Sequence, residues 1–543
     1  MLFNSLTFAV FLPIVYALYR ILPFRAQNYM LLAASYLFYG WWDWRFLFLM
    51  IVSTCLDFWT GLILERAKMT RQQVWMPLIF LIAGGLLLVG CNFGTLVRTA
   101  VGMPATGPIV SNAMPAVLLY LPLGLAIAAG LFAWLSRLPE DKRRKYSMIL
   151  SMCVNLLILA TFKYFNFFVD SAVSALNDLG IAAQPRHFDI VLPVGISFYT
   201  FQSMSYAIDI YKRELKPVER FLDFGLFVAF FPQLVAGPIE RARHLLPQII
   251  QPRTLSFTET TRGLFLILLG LFKKIAIADG AAMTVDQIFN SSGPVSWLEV
   301  VVGTILFAVQ IYTDFSGYSD IARGTAKLFG VDIMVNFRLP YFARSPRDFW
   351  NRWHISLSTW LGDYLYKPLG GNRGSMAFTC RNLMLTMLLG GLWHGAAWNY
   401  ILWGAYHGTA LSTHRVLTGG KGRPDKPDGR IEAVLKTLGF GLVTLYGWLL
   451  FRAHSFDQIA TFTRTLFTGA GGLRLSAALP PLSTLVGILV LATWEVGQYR
   501  AGGDGRFYQR YPAWTVGFAI AAMAFLLVMG SSNAPAQFIY FQF

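Results

Sequence analysis

The segment LLGGLWHGAAWNYILWGAYHG, residues 388–408, decides how the rest of the chain is interpreted. It is apolar enough to lie in a lipid bilayer, yet it contains two histidines, His394 and His407, among tryptophans and glycines. A buried imidazole needs hydrogen-bond partners and is destabilised when it becomes charged. A histidine within membrane-spanning sequence is therefore a candidate functional residue by default.

The composition of the whole chain is that of a membrane protein. Of its 543 residues, 55% are hydrophobic and only 13% are charged, whereas ordinary soluble domains have about 25% charged residues. Apolar runs close to the roughly 20 residues that cross a bilayer recur along the entire length and leave no room for a large soluble domain. We expect a single membrane-embedded domain over residues 1–543.

The formal net charge of +17 would suggest nucleic-acid binding in a soluble protein. Here, however, the Lys and Arg residues lie mainly in short loops between apolar runs, for example at 137–145, 241–243 and 421–430. This is the pattern of cytoplasmic loops that follow the positive-inside rule. It favours orientation signals beside anionic lipid over a polyanion-binding role, so we expect the lipid bilayer as a partner and no nucleic acid.

The cysteines and the N-terminus indicate no processing or cross-linking. The four cysteines lie far apart in apolar surroundings and form no C-x-x-C motif, so neither a disulfide framework nor a zinc site is indicated. No small-residue cleavage site follows the first apolar run, and Arg20 and Arg25 come directly after it. We expect a retained first helix whose C-terminal end faces the cytoplasm.

Apolar segments recur between residues 6 and 530, and several are too short to cross a bilayer alone. We therefore predict an all-α polytopic membrane protein with roughly 11–14 transmembrane helices and with re-entrant or broken helices around a buried tunnel. The apolar pattern breaks between Phe315 and Arg381, where aromatic, charged and glycine residues mix. This polar stretch is the candidate for lining a cavity, and its tryptophans at 350, 353 and 360 suit an amphipathic helix.

The sequence has no G-x-S-x-G elbow, Walker A loop, H-E-x-x-H or G-x-G-x-x-G motif. Chemistry therefore depends on histidines, of which His354, His394 and His407 are the candidates; the alternative for each is a hydrogen-bonded core residue. Small neighbours of His394 permit close approach of a helix or substrate chain. A metal site is disfavoured, since His394 and His407 fall on different faces of one helix and no acidic or cysteine ligand adjoins them.

At these residues the sequence resembles the membrane-bound O-acyltransferase superfamily, and within it the bacterial branch typified by the membrane subunit of alginate O-acetyltransferase. The resemblance covers nearly the whole chain. Its motifs include SYLFYGWW at 35–42, LPVGISFYTFQSMSYAIDIY at 192–211, FPQLVAGPI at 231–239, YTDFSGYSDIA at 312–322, DFWNRWHISLSTWLGDYLYKPLGGNRG at 348–374 and the terminal FIYFQF. One departure is a pair of apolar segments within about 76–136, which we interpret as an inserted helical hairpin.

The resemblance implies acetyl transfer from a cytoplasmic donor, with acetyl-CoA expected, toward a hydroxyl acceptor at or beyond the outer face of the bacterial inner membrane; no bound cofactor is expected. The family's invariant histidine in LWHG corresponds to His394, taken as general base or acyl relay. The histidine of RWHISLS is His354, which would orient substrate or polarise the thioester carbonyl. A neutral imidazole can accept the proton of an attacking hydroxyl and contributes about 10²–10⁴-fold to a rate.

The catalytic segment implied by the resemblance is about 312–408, and its polar residues would line the tunnel where donor and acceptor meet. The candidates for this lining are Asp314, Ser316, Tyr318, Arg352, Trp353, Asn372, Arg373, Trp393, Trp398, Asn399 and His407. The expected acceptor is an exported polysaccharide such as alginate or cellulose, with peptidoglycan as an alternative. Periplasmic partners resembling SGNH hydrolases are also expected. The rival function is a conduit that passes acetyl groups to those partners without chemistry of its own.

Overall fold

The computed structural model describes residues 1–104, 107–188, 190–235, 237–420, 429–503, 505, 507–531 and 536–539. Within these ranges all regular secondary structure is helical, apart from one isolated antiparallel bridge between Cys91 and Val110. The predicted all-α fold is confirmed. The chain divides into two compact units, the first formed by Met1–Thr260 with Ala326–Ile333 and the second by Thr261–Thr325 with Met334–Phe543.

The first unit contains twelve helices among its described residues. They are α1 Leu6–Ile21, α2 Phe24–Gly40, α3 Trp44–Glu65, α4 Arg71–Gly84, α5 Phe93–Ala100, α6 Met114–Ser136, α7 Glu140–Leu159, α8 Phe165–Asp178, α9 Ile196–Tyr211, α10 Phe221–Ala229, α11 Phe231–Leu234 and α12 Ala242–Ile250. Its buried polar centre is Asp57 on α3, which accepts hydrogen bonds from Ser151 and Asn155 of α7. The buried carboxylate is thus fully embedded in a hydrogen-bond network, as burial requires.

The helices that follow belong mainly to the second unit, although α13 begins and α15 ends in the first. They are α13 Phe257–Leu271, α14 Asp279–Phe289, α15 Trp297–Leu328, α16 Pro346–Trp350, α17 Ile355–Leu361, α18 Met376–His394, α19 Trp398–Leu417, α20 Arg430–Arg452, α21 Phe456–Thr468, α22 Leu482–Arg500 and α23 Ala513–Gly530. The short helices α16 and α17 lie in the segment where the apolar pattern breaks, as the mixed composition there predicts.

In the part of the chain that the structure describes, eight helical segments are long and apolar enough to cross a membrane. They are Trp44–Glu65, Arg71–Val89, Met114–Ser136, Glu140–Asp178, Trp297–Leu328, Arg430–Arg452, Leu482–Arg500 and Ala513–Gly530, with the shorter Leu6–Ile21 also apolar. π-helical turns join α7 to α8 at Ala160–Tyr164 and α13 to α14 at Phe272–Ala278, and two more end α4 at Gly85–Val89 and α17 at Gly362–Tyr366. The protein is therefore a multi-pass membrane protein, whereas the predicted 11–14 spans and the re-entrant or broken helices around a tunnel stay predictions.

The apolar segments interpreted as an inserted hairpin form α4, the short α5 and α6. Helix α6 buries only Val117, Phe132 and Leu135 along its 23 residues. An apolar helix that buries so few side chains in protein suits a position facing lipid. That these helices are an insertion relative to the family stays a prediction.

Helices α18 and α19 form a tightly packed antiparallel hairpin in the second unit. A Cβ atom placed on Gly391 would lie 2.2 Å from the carbonyl oxygen of Tyr400, and one on Gly404 would lie 2.4 Å from that of Met387. Both distances are too short for a Cβ atom, so each position requires glycine. Small residues of this kind allow two helices to approach closely in a membrane. The glycines of the segment at 388–408 therefore set the distance between the two helices.

Candidate active site

His394 is the last residue of α18. The helix begins at a serine cap, where the Ser375 side chain accepts a hydrogen bond from the backbone N–H of Phe378, and it ends as Gly395 takes an extended conformation. The buried imidazole lies among aromatic rings, with ring-centroid distances of 5.1 Å to Trp393, 5.1 Å to Trp403 and 5.4 Å to Phe451. This surrounding holds the ring on several sides while the helix terminus fixes its backbone.

His354 precedes α17 and adopts a left-handed conformation with φ of 41°. A residue other than glycine in this region costs about 1–3 kcal/mol and persists only where the surroundings impose it. Here the backbone N–H of Ile355 donates to the carbonyl of Asn336 at 2.9 Å, and that of Ser358 donates to the carbonyl of His354 at 2.9 Å. The strained backbone directs a fully buried imidazole toward α18.

The two histidines that the sequence singled out lie together. The ring centroids of His354 and His394 are 6.5 Å apart, and His354 also contacts Trp393 at 5.9 Å and Phe315 at 4.7 Å. The two imidazoles are thus near neighbours, although His354 is fully buried and His394 is the one on a cavity wall. That this pair performs acid–base chemistry stays a prediction.

A cavity of about 190 Å³ reaches His394. Its wall is mainly apolar and includes Trp350, Met387 and Trp403, with Arg347 and Ser358 among its polar members. Apolar surroundings strengthen electrostatic interactions relative to those in water. Of the three candidate histidines, His394 is the one that lines this cavity.

His407 has a different environment. It is buried on α19, stacks on Phe349 at a ring-centroid distance of 6.1 Å and contacts Trp403 at 4.7 Å. The Gly447 backbone of α20 lies directly against its Nε2, since a Cβ on that glycine would be 2.9 Å away. These contacts are those of a packing residue behind the cavity wall.

Three further predicted lining residues support the histidine pair. Trp393 contacts both imidazoles, and Trp353 packs on Trp448 at 4.7 Å. The side-chain amide of Asn399 donates to the backbone carbonyls of Phe451 and Ala453 and thereby fixes the end of α20 beside His394. These residues position the site through packing and hydrogen bonds.

The remaining predicted lining residues lie elsewhere in the second unit. Trp398 is 53% exposed. Asn372 and Arg373 lie on an exposed turn before α18. Arg352 forms an ion pair with Asp348 at 2.8 Å.

Asp314 belongs to a buried ion cluster. Lys274 lies 2.9 Å from Asp314 and 2.7 Å from Asp279, and the backbone N–H of Ile539 donates to Asp314 at 2.7 Å. Tyr318 packs on Phe538 at 4.2 Å. Asp314 and Tyr318 thus hold the segment 536–539 against α15, while their neighbour Ser316 lines a second cavity, of about 210 Å³.

Sequence reasoning missed several residues around the pair. Trp350, Trp403 and Phe451 shape the His394 cavity or contact its imidazole, yet each carries only an aromatic signal that core packing explains equally well. Trp403 and His407 are four residues apart and therefore lie on one face of α19. This spacing is the sequence signal that the face is buried against the site. Among the described residues no group of three His, Cys, Asp or Glu side chains could hold a metal ion.

The sequence is similar to those of known acyltransferases. The sequence model of the membrane-bound O-acyltransferase family matches residues 218–420, which include His354, His394 and His407. The chain is 35% identical over 515 residues to a probable alginate O-acetylase of Azotobacter vinelandii, covering 92% of this chain and 86% of that protein. It is 37% identical over 473 residues to a probable alginate O-acetylase of Pseudomonas aeruginosa, covering 86% and 75%.

A peptidoglycan O-acetyltransferase of Helicobacter pylori is 37% identical over 340 residues, which are 57% of this chain and 62% of that protein. The resemblance drawn from the sequence motifs is thereby confirmed. The chain belongs to the membrane-bound O-acyltransferase family and is an acyltransferase.

Proposed function

We propose that the chain moves acetyl groups from cytoplasmic acetyl-CoA to hydroxyl groups of an exported polysaccharide at the bacterial inner membrane. The observation that carries this proposal is the pairing of His354 and His394 at 6.5 Å, with His394 on the wall of an apolar cavity. The names of the relatives support the reaction class, because alginate O-acetylase and peptidoglycan O-acetyltransferase both describe acetyl transfer to a polymer.

In the proposed reaction, His394 accepts the proton of an acceptor hydroxyl as its oxygen attacks the thioester carbonyl carbon. The C–S bond breaks, an ester C–O bond forms, and the proton passes from the imidazole to the departing thiolate. His354 stabilises the carbonyl oxygen as negative charge develops there, which is the role in which a preorganised donor contributes most. The aromatic rings around the pair exclude water that would hydrolyse the thioester.

The acceptor hydroxyl belongs either to the polysaccharide or to the serine of a periplasmic SGNH-hydrolase-like partner that completes the transfer. Alginate, cellulose and other exopolysaccharides are the proposed final acceptors, and peptidoglycan is the alternative. The same two imidazoles serve either acceptor, because the chemistry at the thioester is identical.

The test uses the purified full chain and acetyl-CoA labelled in the acetyl group. We expect thioester cleavage with release of free CoA when an acceptor or the partner protein is added. His394→Gln should abolish it, because glutamine keeps a polar side chain but cannot take up a proton. Absence of cleavage by wild-type protein, even with the partners added, would instead favour the conduit function.

A further inference from the structure

His354 has a backbone conformation that is uncommon for residues other than glycine. Among the described residues, the others outside glycine with positive φ are Arg213 and Leu339. Such a conformation persists only where the surrounding structure imposes it. The neighbours of His354 therefore include residues that set its backbone and, through the backbone, the direction of its imidazole.

The connecting segment between α15 and α16 is hydrogen-bonded to the backbone on both sides of His354. The N–H of Arg338 donates to the carbonyl of Arg352 at 2.9 Å, and the N–H of Ile355 donates to the carbonyl of Asn336 at 2.9 Å. Asn336 and Arg338 are two positions apart, whereas Arg352 and Ile355 are three apart. The side that contains His354 thus has one extra residue, the mismatch that in a β-bulge bends the backbone and redirects a side chain.

The side chain of Asn336 fixes this connecting segment to two helices. Its Nδ2 donates to the hydroxyl oxygen of Ser319 on α15 at 3.0 Å, and its Oδ1 accepts a hydrogen bond from the hydroxyl of Ser356 on α17 at 2.6 Å. None of the three side chains is more than 2% exposed. Buried hydrogen bonds of this kind are stronger than exposed ones, because water does not compete for them.

The other contacts of His354 are of a different type. Its ring lies 4.7 Å from that of Phe315 and 5.9 Å from that of Trp393. Apolar packing of this kind is non-directional, so it limits the space of the imidazole without fixing the backbone from which it projects. The hydrogen bonds of Asn336 are directional and act on the backbone one residue after His354.

Asparagine suits this position because its planar amide carries a donor and an acceptor together. The donor bonds to Ser319 and the acceptor to Ser356, while the backbone carbonyl of the same residue holds Ile355. A displacement of Asn336 is therefore transmitted to the backbone beside His354.

We propose that Asn336 is the positioning residue of His354. Held by Ser319 and Ser356, it fixes the left-handed backbone and so directs the imidazole toward the reacting group. This inference rests on the proposed function, because it gives the orientation of His354 a role in thioester cleavage. Asn336 acts only through His354 and makes no contact with substrate.

The first measurement is thioester cleavage by the purified full chain with labelled acetyl-CoA. Asn336→Ala should lower kcat by about 10²-fold, the cost of misplacing a reacting group by about 1 Å, and should leave KM within about twofold. Ser356→Ala removes one of the two side-chain bonds, so its kcat should lie between those of Asn336→Ala and wild type.

Asn336 also lines the cavity beside Ser316, so direct contact with a substrate is the alternative role. That role would raise KM for acetyl-CoA while kcat stays at the wild-type value. This result, or a wild-type kcat and KM in Asn336→Ala, would overturn the proposal.

Asn382→Ala is the matched control, because it also truncates a buried asparagine of the second unit. The Nδ2 of Asn382 donates to the carbonyl of Gly371 at 2.9 Å, so the variant likewise loses a buried hydrogen bond. It should lower the thermal-unfolding midpoint as Asn336→Ala does but keep the wild-type kcat. Equal losses of kcat in the two variants would show a general packing defect and would overturn the proposal.

Nuclear magnetic resonance of the imidazoles gives a readout that needs no activity. In the full chain labelled with carbon-13 at the histidine Cε1, the signal of His354 is identified by its absence from His354→Asn. Asn336→Ala should shift or broaden this signal and leave that of His407 unchanged, whereas Asn382→Ala should change neither. An unchanged His354 signal in Asn336→Ala would overturn the proposal.

The two readouts separate this inference from the proposed function. Wild-type protein that cleaves no thioester, even with partners added, would refute the proposed function, while a His354 signal that moves in Asn336→Ala would still support the positioning. Wild-type protein that cleaves the thioester, with kcat and the His354 signal both unchanged in Asn336→Ala, would refute the positioning alone.

Discussion

Substitution of Gly391 by alanine should disable the site by pushing α19 away from α18. The added Cβ would lie 2.2 Å from the carbonyl oxygen of Tyr400 and 3.2 Å from the Cα of Gly404. Real Cβ atoms essentially never approach other heavy atoms closer than 3.0 Å. Because both contacts are with backbone, no side-chain rotation relieves them, and the helices must separate by about 1 Å.

The consequence for the chemistry follows from the position of His394 one turn after Gly391. Its imidazole contacts Trp403 of α19 at 5.1 Å, so a helix shift moves the ring relative to the cavity. A displacement of about 1 Å at a reacting group can cost about 10²-fold in rate, and overpacking costs about 1–3 kcal/mol in stability. We expect Gly391→Ala to lose about 10²-fold in kcat while still accumulating in the membrane.

The assay is thioester cleavage per mole of purified protein, with membrane abundance measured in parallel. Gly441→Ala is the matched control, since a Cβ on this α20 glycine meets nothing within 4 Å; its rate should equal that of wild type. A wild-type rate in Gly391→Ala would refute the reasoning that close packing of α18 on α19 positions His394.

Three further predictions concern other parts of the molecule. Asp314→Asn removes one of the two carboxylates that pair with the buried Lys274 and leaves Asp279 in place. It should cost about 1.5–3 kcal/mol, the contribution of a hydrogen bond to a charged group, seen as a lower thermal-unfolding midpoint in detergent; an unchanged midpoint would contradict this. The hydrogen bond to Glu240 raises the pKa of His244. The free energy of unfolding of wild type should therefore exceed that of His244→Gln by its full amount at pH 5.5, and this difference should vanish as the pH rises through the raised pKa. A difference that does not depend on pH would refute this. His354→Asn, whose new side chain tolerates the left-handed backbone, should keep wild-type abundance but lose thioester cleavage, whereas a parallel loss of abundance would indicate a structural role.

The helices could be predicted from the sequence because hydropathy and length decide them locally. The sequence also indicates each histidine separately: His394 has small neighbours, and His354 lies in a polar segment. Their proximity of 6.5 Å could not be predicted by spacing, because it depends on the left-handed backbone at His354 and on the end of α18. Such geometry arises from tertiary packing.

Long-range partners explain the differences between prediction and structure. Asp314 reads as a lining residue within DFSGYSD, yet its partners are Lys274 and the backbone of Ile539, both distant in sequence. The cavity beside Ser316 is lined by cationic side chains from separate helices and a connecting segment, so no local sequence motif predicts it. Clusters of this kind become visible only once the chain is folded.

His394 and His407 are both buried in the segment at 388–408, and the proposed function assigns the chemistry to His394 alone. The most direct measurement is the acetyl content of the exported polymer in cells that produce His394→Gln or His407→Gln at equal membrane abundance. We expect a loss of about 10²-fold or more for His394→Gln and no more than a few-fold loss for His407→Gln. Wild-type acetylation by His394→Gln at matched abundance would contradict it.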